Sequence, residues 1–158
     1  MIELRGPRVV LRETVDGDEA RLSEIAGTPE VTRWWGPVDE FDDMLAITVD
    51  GEIIGAIQFE EEDDPMYRRA GIDIFLDAKW HGQGFGREAI RTLARWLIDE
   101  RGHHRITIDP AAHNGVAIRA YEAVGFRRVG IMRSYERDPA TGVFHDGLLM
   151  DLLAEELV

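Results

Sequence analysis

Short runs of apolar and β-branched residues recur along the chain and predict strands. Two of these runs are separated by Asp50-Gly51, the strongest short hairpin signal in the sequence, so we expect them to pair antiparallel. In the run that ends at Leu76, alternation places Asp73 on the opposite face from the isoleucines on either side of it. The predicted strands are Val9–Arg12, Met44–Val49, Glu52–Phe59, Ala70–Leu76, Arg105–Asp109, Phe126–Met132 and Phe144–Leu152.

Apolar residues at three- and four-residue spacing predict helices between the later strands. The clearest helix spans Gly84–Glu100, and a second spans Gly115–Val124 with Asn114 as its cap and Gly125 at its exit. Two shorter helices are predicted earlier, at Asp16–Ala26 and from Pro29 to the residue before Gly36. Strands first, followed by alternating strands and helices, indicate an α/β layered domain with a mixed sheet.

Length and charge narrow the class of protein. A chain of 158 residues is expected to form one domain spanning residues 1–158. Its 18 basic and 31 acidic residues give a formal net charge of −13, which disfavours nucleic-acid and anionic-membrane partners and favours a cationic one. Acidity that only maintains solubility is an equal alternative. The acidic segment Glu60–Asp64, followed by Pro65, is expected to be a solvated loop.

The absence of cysteine excludes disulfides and cysteine-based zinc sites. The pairs His103-His104 and His145-Asp146 lack the spacing of metal ligands, so we expect no metal and interpret these histidines as surface or strand-end residues. No apolar run approaches membrane-spanning length, and a cytoplasmic protein is the simplest interpretation.

A glycine-rich turn precedes the clearest helix. In the segment His81-Gly82-Gln83-Gly84-Phe85-Gly86-Arg87, small residues let main-chain N–H groups converge at a helix entrance, which suits a phosphate. Glycines that merely connect a strand to a helix would look the same. A P-loop is excluded because its Lys-Ser/Thr ending is missing, and a dinucleotide fold fits poorly because the turn follows a late strand.

The segment from Asn114 to Phe126 changes this interpretation. The glycine-rich turn followed by Asn114, Ala117, Tyr121 and Gly125-Phe126 resembles the acetyl-coenzyme A core of the GNAT superfamily of N-acetyltransferases. The resemblance is strong over residues 70–130. It extends to aminoglycoside 6′-N-acetyltransferases through four stretches: Glu30–Gly36, Gly51–Gly55, the acidic segment leading into Gly71-Ile72-Asp73, and Asp109-Pro110 ahead of Asn114 and Ala117-Ile118-Arg119.

The resemblance implies a GNAT fold, in which a mixed, mostly antiparallel sheet flanked by helices is splayed between its fourth and fifth strands. It implies that main-chain N–H groups of the glycine turn bind the pyrophosphate, that Arg87 adds charge, and that the main chain of Ile74 and Leu76 pairs with the pantetheine arm. His81 departs from the Arg or Gln usual at its position. The residues expected at the cofactor are Ile74, Leu76, His81, Gly82, Gln83, Gly84, Phe85, Gly86, Arg87, Asn114, Ala117 and Tyr121.

Acetyl transfer to an amine needs a deprotonated nucleophile and a proton for the leaving thiolate. The resemblance makes Tyr121 the candidate acid, and its ordinary pKa near 10 means that the phenol holds a proton to give at neutral pH. Asp73 is the candidate base, or alternatively a ligand of the acceptor ammonium, because its pKa can rise between isoleucines. Asp109 is expected to orient a cationic acceptor, and Trp34 and Trp35 are expected either to form a wall for a sugar ring or to pack in the core.

The sequence thus predicts an N-acetyltransferase that uses acetyl-CoA and acts on a primary amine of an aminoglycoside or similar polyamine. Alternatives are a GNAT enzyme that acylates another amine, such as a siderophore side chain, a polyamine or a protein N-terminus, and a non-catalytic acyl-CoA-binding module. The resemblance also allows a homodimer, for which the sequence contains no interface signature.

Overall fold

The computed structural model describes residues 1–158 and contains one eight-stranded sheet flanked by helices. The strands are β1 (Glu3–Arg5), β2 (Val10–Glu13), β3 (Leu45–Val49), β4 (Glu52–Glu62), β5 (Arg69–Leu76), β6 (Arg105–Ile108), β7 (Arg127–Arg137) and β8 (Phe144–Leu153). The helices are α1 (Glu19–Ala26), α2 (Pro29–Trp35), α3 (Phe85–Asp99) and α4 (Gly115–Val124), and single 3₁₀ turns lie at Asp16–Asp18, Ala78–Trp80 and Ala154–Glu156.

The strands follow the order β1-β2-β3-β4-β5-β6-β8-β7, and only β5 and β6 pair in parallel. Helices α3 and α4 pack on one face, where 22 buried residues form the larger core. Helices α1 and α2 cover the other face with a core of 10 buried residues. The predicted α/β class with a mixed, mostly antiparallel sheet is therefore confirmed.

A short first strand was not predicted. β1 pairs with β2 in the register Glu3 to Arg12 and adds an edge to the sheet. Its three residues are too few to show a period. Because β1 precedes the predicted strands, the fourth and fifth predicted strands are β5 and β6, and the expected gap lies between them.

The hairpin at Asp50-Gly51 is confirmed, with φ of 50° and 81° at the two residues. The prediction of a solvated loop at Glu60–Asp64 is wrong for its first three residues. β4 continues to Glu62 because it pairs with β5 as far as Arg69, and Glu61 is turned inwards. The acidic composition alone indicated an exposed loop, whereas pairing with residues 69–71 of β5 keeps the segment extended.

Helices α3 and α4, which carry predicted cofactor-binding residues, are close to their predicted bounds. The N-terminal residue of α3 follows Gly84, whose φ of 85° requires glycine. α4 begins and ends as predicted, with the Asn114 side chain accepting a hydrogen bond from the Ala117 N–H and Gly125 in the left-handed conformation. No helix is long and apolar enough to cross a membrane.

Candidate active site

The sheet opens where β5 and β6 separate. Their pairing is limited to Ala70 with Ile106 and Gly71 with Thr107, so β5 continues without a partner on that side. The Asp77 N–H donates to the Ile54 carbonyl at 2.8 Å. Because antiparallel pairs alternate, the main-chain groups of Ile74 and Leu76 point away from β4 and into the opening. This is the geometry predicted for pairing with a pantetheine arm.

The two exposed carbonyl groups in this opening already accept side-chain hydrogen bonds. The Trp35 indole Nε1 donates to the Ile74 carbonyl at 3.0 Å, and the His81 Nε2 lies 3.1 Å from the Leu76 carbonyl. The N–H of Leu76 points into the opening as well, which makes it a better candidate for oxyanion contact than that of Phe75.

The glycine turn forms the mouth of this opening. Gly82 and Gly84 have φ of 72° and 85°, and a side chain at Gly86 would meet Leu76 Cδ1 at 3.3 Å. Small residues therefore allow the turn to approach the end of β5. The Gln83 side chain turns away and donates to the Lys79 carbonyl at 3.0 Å.

A cavity of about 740 Å³ extends from this turn between β5 and α4. Its lining brings together most of the residues predicted for catalysis, cofactor and substrate; Gln83 alone is outside it. The predicted residues that line it are Trp34, Trp35, Asp73, Ile74, Leu76, His81, Gly82, Gly84, Phe85, Gly86, Arg87, Asp109, Asn114, Ala117 and Tyr121.

Tyr121 lies on α4 and packs against the larger core. Burial, followed by the charges of Asp73 and Asp109, raises the pKa of Tyr121 above its ordinary value. The phenol therefore keeps its proton at any physiological pH, and Tyr121 lines the cavity.

Asp73 lies at the bottom of the opening on β5. It is exposed, but the space that it faces is lined by protein on several sides. This poorly solvated setting, together with the charges of Asp109, Glu136 and Glu60, raises the pKa of Asp73 to about 7, against a lowering effect from Gln58. A carboxyl of this kind exchanges its proton near neutrality, as a general base requires.

A second cavity of about 730 Å³ meets the first at Asp73, Asp109 and Glu136, which line both. Seven of its 17 lining residues are acidic and none is basic: Glu13, Asp42, Asp43, Glu60, Asp73, Asp109 and Glu136. Among these seven, Glu60 alone forms an ion pair, with Arg69 at 3.2 Å. The sequence showed the acid excess but not its concentration here.

Tyr135 is a residue of this second cavity that the sequence analysis missed. Ser134 has φ of 46° and donates its N–H to Asp146 at 2.9 Å, at an irregularity in the pairing of β7 with β8. The irregularity directs the Tyr135 hydroxyl to Asp109 Oδ2 at 2.7 Å, and this hydrogen bond is the main reason that the pKa of Tyr135 rises to about 12. No local pattern signals a bulge of this kind.

The two tryptophans have different surroundings. Trp35 stands edge-on to Phe75 with ring centroids 5.1 Å apart and packs against the smaller core. Trp34 lines the cavity, 5.0 Å from the His113 ring and under the Arg33 guanidinium at 4.6 Å. Trp34 is thus the better placed of the two to contact a ligand.

His103, interpreted as a surface or strand-end residue, lies two residues before β6 and is buried. Its side chain is 0% exposed, and its Nε2 lies 2.5 Å from Glu61, which also receives the Arg101 guanidinium. A carboxylate delivered by β4 offsets the cost of burying this ring. The cluster lies outside both cavities.

Comparison with known proteins identifies the class of enzyme to which this site belongs. The model of the Acetyltransferase (GNAT) family matches residues 12–126. The chain belongs to the GNAT acetyltransferase family. This GNAT acetyltransferase is 29% identical over 153 residues to an aminoglycoside N(6′)-acetyltransferase type 1 of Klebsiella pneumoniae, with 77% of this chain and 75% of the relative covered.

Two solved structures give further comparisons. AAC(6′)-Ib in complex with paromomycin and acetyl-CoA matches with a TM-score of 0.74 at 26% identity, over 94% of this chain and 95% of that one. The spermidine N-acetyltransferase of Vibrio cholerae in complex with CoA and spermine matches with a TM-score of 0.81 at 20% identity, over 94% and 97%. The second likeness concerns the fold. GNAT enzymes use acetyl-CoA, and the glycine turn and the open edge of β5 fit that cofactor.

Proposed function

We propose that this enzyme transfers the acetyl group of acetyl-CoA to a primary amine of a small molecule that carries several ammonium groups, an aminoglycoside first of all. The observation that carries the proposal is the meeting of the two cavities at Asp73, Asp109 and Glu136. The first cavity offers the features of a coenzyme A site, and the second offers carboxylates alone among its charged groups.

The number of carboxylates favours an acceptor with more than one positive charge. Mutual repulsion among close carboxylates is relieved when ammonium groups lie between them. A substrate with a single amine, such as a protein N-terminus, would leave most of the seven carboxylates of the second cavity unpaired. The relatives named for aminoglycoside acetylation support a multiply charged sugar, and Trp34 offers a flat surface for one of its rings.

The proposed chemistry assigns one step to each group. Asp73, with a pKa of about 7, accepts the proton of the acceptor ammonium directly or through a water, which frees the amine to attack the thioester carbonyl. The Leu76 N–H meets the charge that develops on the carbonyl oxygen. Tyr121 gives its proton to the departing thiolate as the C–S bond breaks, and its phenolate regains a proton from the amine nitrogen, which loses its second proton as the amide forms. Tyr135 holds Asp109 where it faces the acceptor.

Purified protein mixed with acetyl-CoA and one acceptor at a time provides the test, with free thiol as the readout. Kanamycin-type aminoglycosides should release thiol well above the acceptor-free background, and mass spectrometry should find one added acetyl group on the product. Thiol release with spermidine and not with any aminoglycoside would replace the substrate class by linear polyamines. CoA binding without transfer to any amine of the panel would favour the non-catalytic alternative.

We also propose that residues 1–158 act as one acetyltransferase domain. Both cavities are lined by residues that lie between positions 2 and 136 of the chain. Activity of the 158-residue protein by itself in the thiol assay supports this proposal.

A further inference from the structure

Two guanidinium groups converge on the glycine turn, and one of them comes from the far end of the chain. A Cβ atom built on Gly84 would lie 3.3 Å from Arg8 Nη2 and 3.4 Å from Arg87 Nη2. Arg87 is adjacent in sequence and was predicted there. Arg8 belongs to the turn between β1 and β2, more than seventy residues earlier.

Arg8 is held in this position by fixed contacts. Its Nε donates to Glu88 Oε1 at 2.9 Å, and its Nη1 donates to the Gln83 carbonyl at 3.2 Å. The guanidinium carbon lies 4.1 Å from the centroid of the Phe85 ring. These contacts leave the Nη2 group free beside Gly84.

Glu88 anchors the turn between β1 and β2 to the start of α3. Its carboxylate accepts the main-chain N–H groups of Arg8 at 2.6 Å and Val9 at 2.7 Å, in addition to the Arg8 side chain. Burial by itself would raise the pKa of Glu88, but these hydrogen bonds more than offset it and hold the pKa below its ordinary value. Glu88 is thus charged and buried, and it fixes the direction in which Arg8 points.

Arg8 and Arg87 place two positive charges side by side in a chain whose net charge is −13. Glu88 pairs with Arg8, but Arg87 forms no ion pair, so the three groups together leave a net positive charge beside the turn. The turn beside them presents unpaired N–H groups at the positive end of α3. The oxygens of a doubly charged pyrophosphate can accept hydrogen bonds from both guanidinium groups and from the N–H groups of the turn. Planar guanidinium groups match the geometry of phosphate oxygens.

We propose that Arg8 is a cofactor-binding residue that acts with Arg87 as a clamp on the pyrophosphate of coenzyme A. This proposal rests on the use of acetyl-CoA by the family and is independent of the acceptor, because its test measures cofactor binding alone.

The test compares Arg8→Gln with Arg5→Gln, which removes the same charge from β1, where Arg5 pairs only with the exposed Glu3. Calorimetry gives the dissociation constants of CoA and 3′-dephospho-CoA, and an NMR titration gives that of pantetheine, which has no phosphate. Arg8→Gln should weaken both CoA and 3′-dephospho-CoA about tenfold, the lower end for a charge-assisted hydrogen bond. Pantetheine binding should not change, and Arg5→Gln should stay within about twofold of the wild type for all three ligands.

Three outcomes would overturn the assignment. Equal weakening of pantetheine would mean that Arg8 acts through the structure of the turn. Weakening of CoA without weakening of 3′-dephospho-CoA would place Arg8 at the 3′-phosphate, and unchanged affinity for both would remove it from the site. If Arg8→Gln folds poorly, Arg8→Lys takes its place in the test. It keeps a charge that can pair with Glu88 and should retain part of the affinity for CoA.

Discussion

Replacing Asp73 by Asn should make the protein more stable and less active at the same time. The pKa of Asp73 rises from an ordinary 3.8 to about 7 on folding because of its poorly solvated position and the nearby acidic charges. A carboxyl sealed from water would lose roughly 4 kcal/mol of folding free energy when ionised at this pKa. Asp73 faces a water-accessible cavity, and screening reduces the expected gain on substitution to about 1–2 kcal/mol.

The sign of the pH dependence follows from linkage. The pKa of Asp73 is higher in the folded state than in the unfolded state, so the folded protein loses stability as the pH rises from 3.8 to about 7. Above that pH the carboxylate is ionised and its full destabilising effect remains. Asp73→Asn should therefore raise the melting temperature by roughly 3–6 °C at pH 8, and by about half as much at pH 5.5. Calorimetry at the two pH values measures both.

Asp63→Asn is the matched control, since this exposed residue loses the same charge outside both cavities. It should leave the melting temperature nearly unchanged at both pH values. An increase in melting temperature for Asp73→Asn that is equal at pH 8 and 5.5, or a decrease at pH 8, would show that folding does not raise the pKa of Asp73. It would remove the reason for treating Asp73 as a base.

Two other substitutions separate catalysis from stability. Tyr121→Phe should lower turnover by about a hundredfold and leave CoA affinity within twofold, because only the proton donor is removed; unchanged turnover in the thiol assay would exclude Tyr121 as the acid. Glu61→Gln should cost about 1–2 kcal/mol of folding free energy at pH 7, because the buried His103 loses its charged partner. Hydrogen bonds from Arg101 and His103 lower the pKa of Glu61, so this cost should shrink as the pH falls through the acid range, and turnover should be retained. Loss of turnover without loss of melting temperature in Glu61→Gln would contradict the assignment of this cluster to stability.

Much of the fold could be predicted because its signals are local. The stripe of apolar residues in α3, the Asn114 cap of α4 and the positive φ values at Asp50-Gly51 depend on neighbours a few residues away. The glycine turn is local as well, since it requires only small residues before a helix. The same signals placed Asp73 and Tyr121 on a strand and a helix, and the resemblance to GNAT enzymes connected them.

The parts that the sequence did not reveal depend on contacts between distant residues. The inward position of Glu61 depends on Arg101 and His103, 40 and 42 residues later. The hydrogen bond of Tyr135 to Asp109 depends on a bulge in β7 that no local pattern indicates.

The sequence by itself thus determined the chemistry that is available: a helix entrance open to phosphate, a phenol on a helix, a carboxylate on a strand and an excess of acid. The tertiary structure decided how these groups meet. It separated β5 from β6 to expose main-chain groups, gathered six carboxylates beside Asp73, and brought Arg8 to the glycine turn across more than seventy residues. The physical reason is that backbone preferences act within a few residues, whereas the pKa and the partners of a side chain are set by groups that only folding brings within a few ångströms.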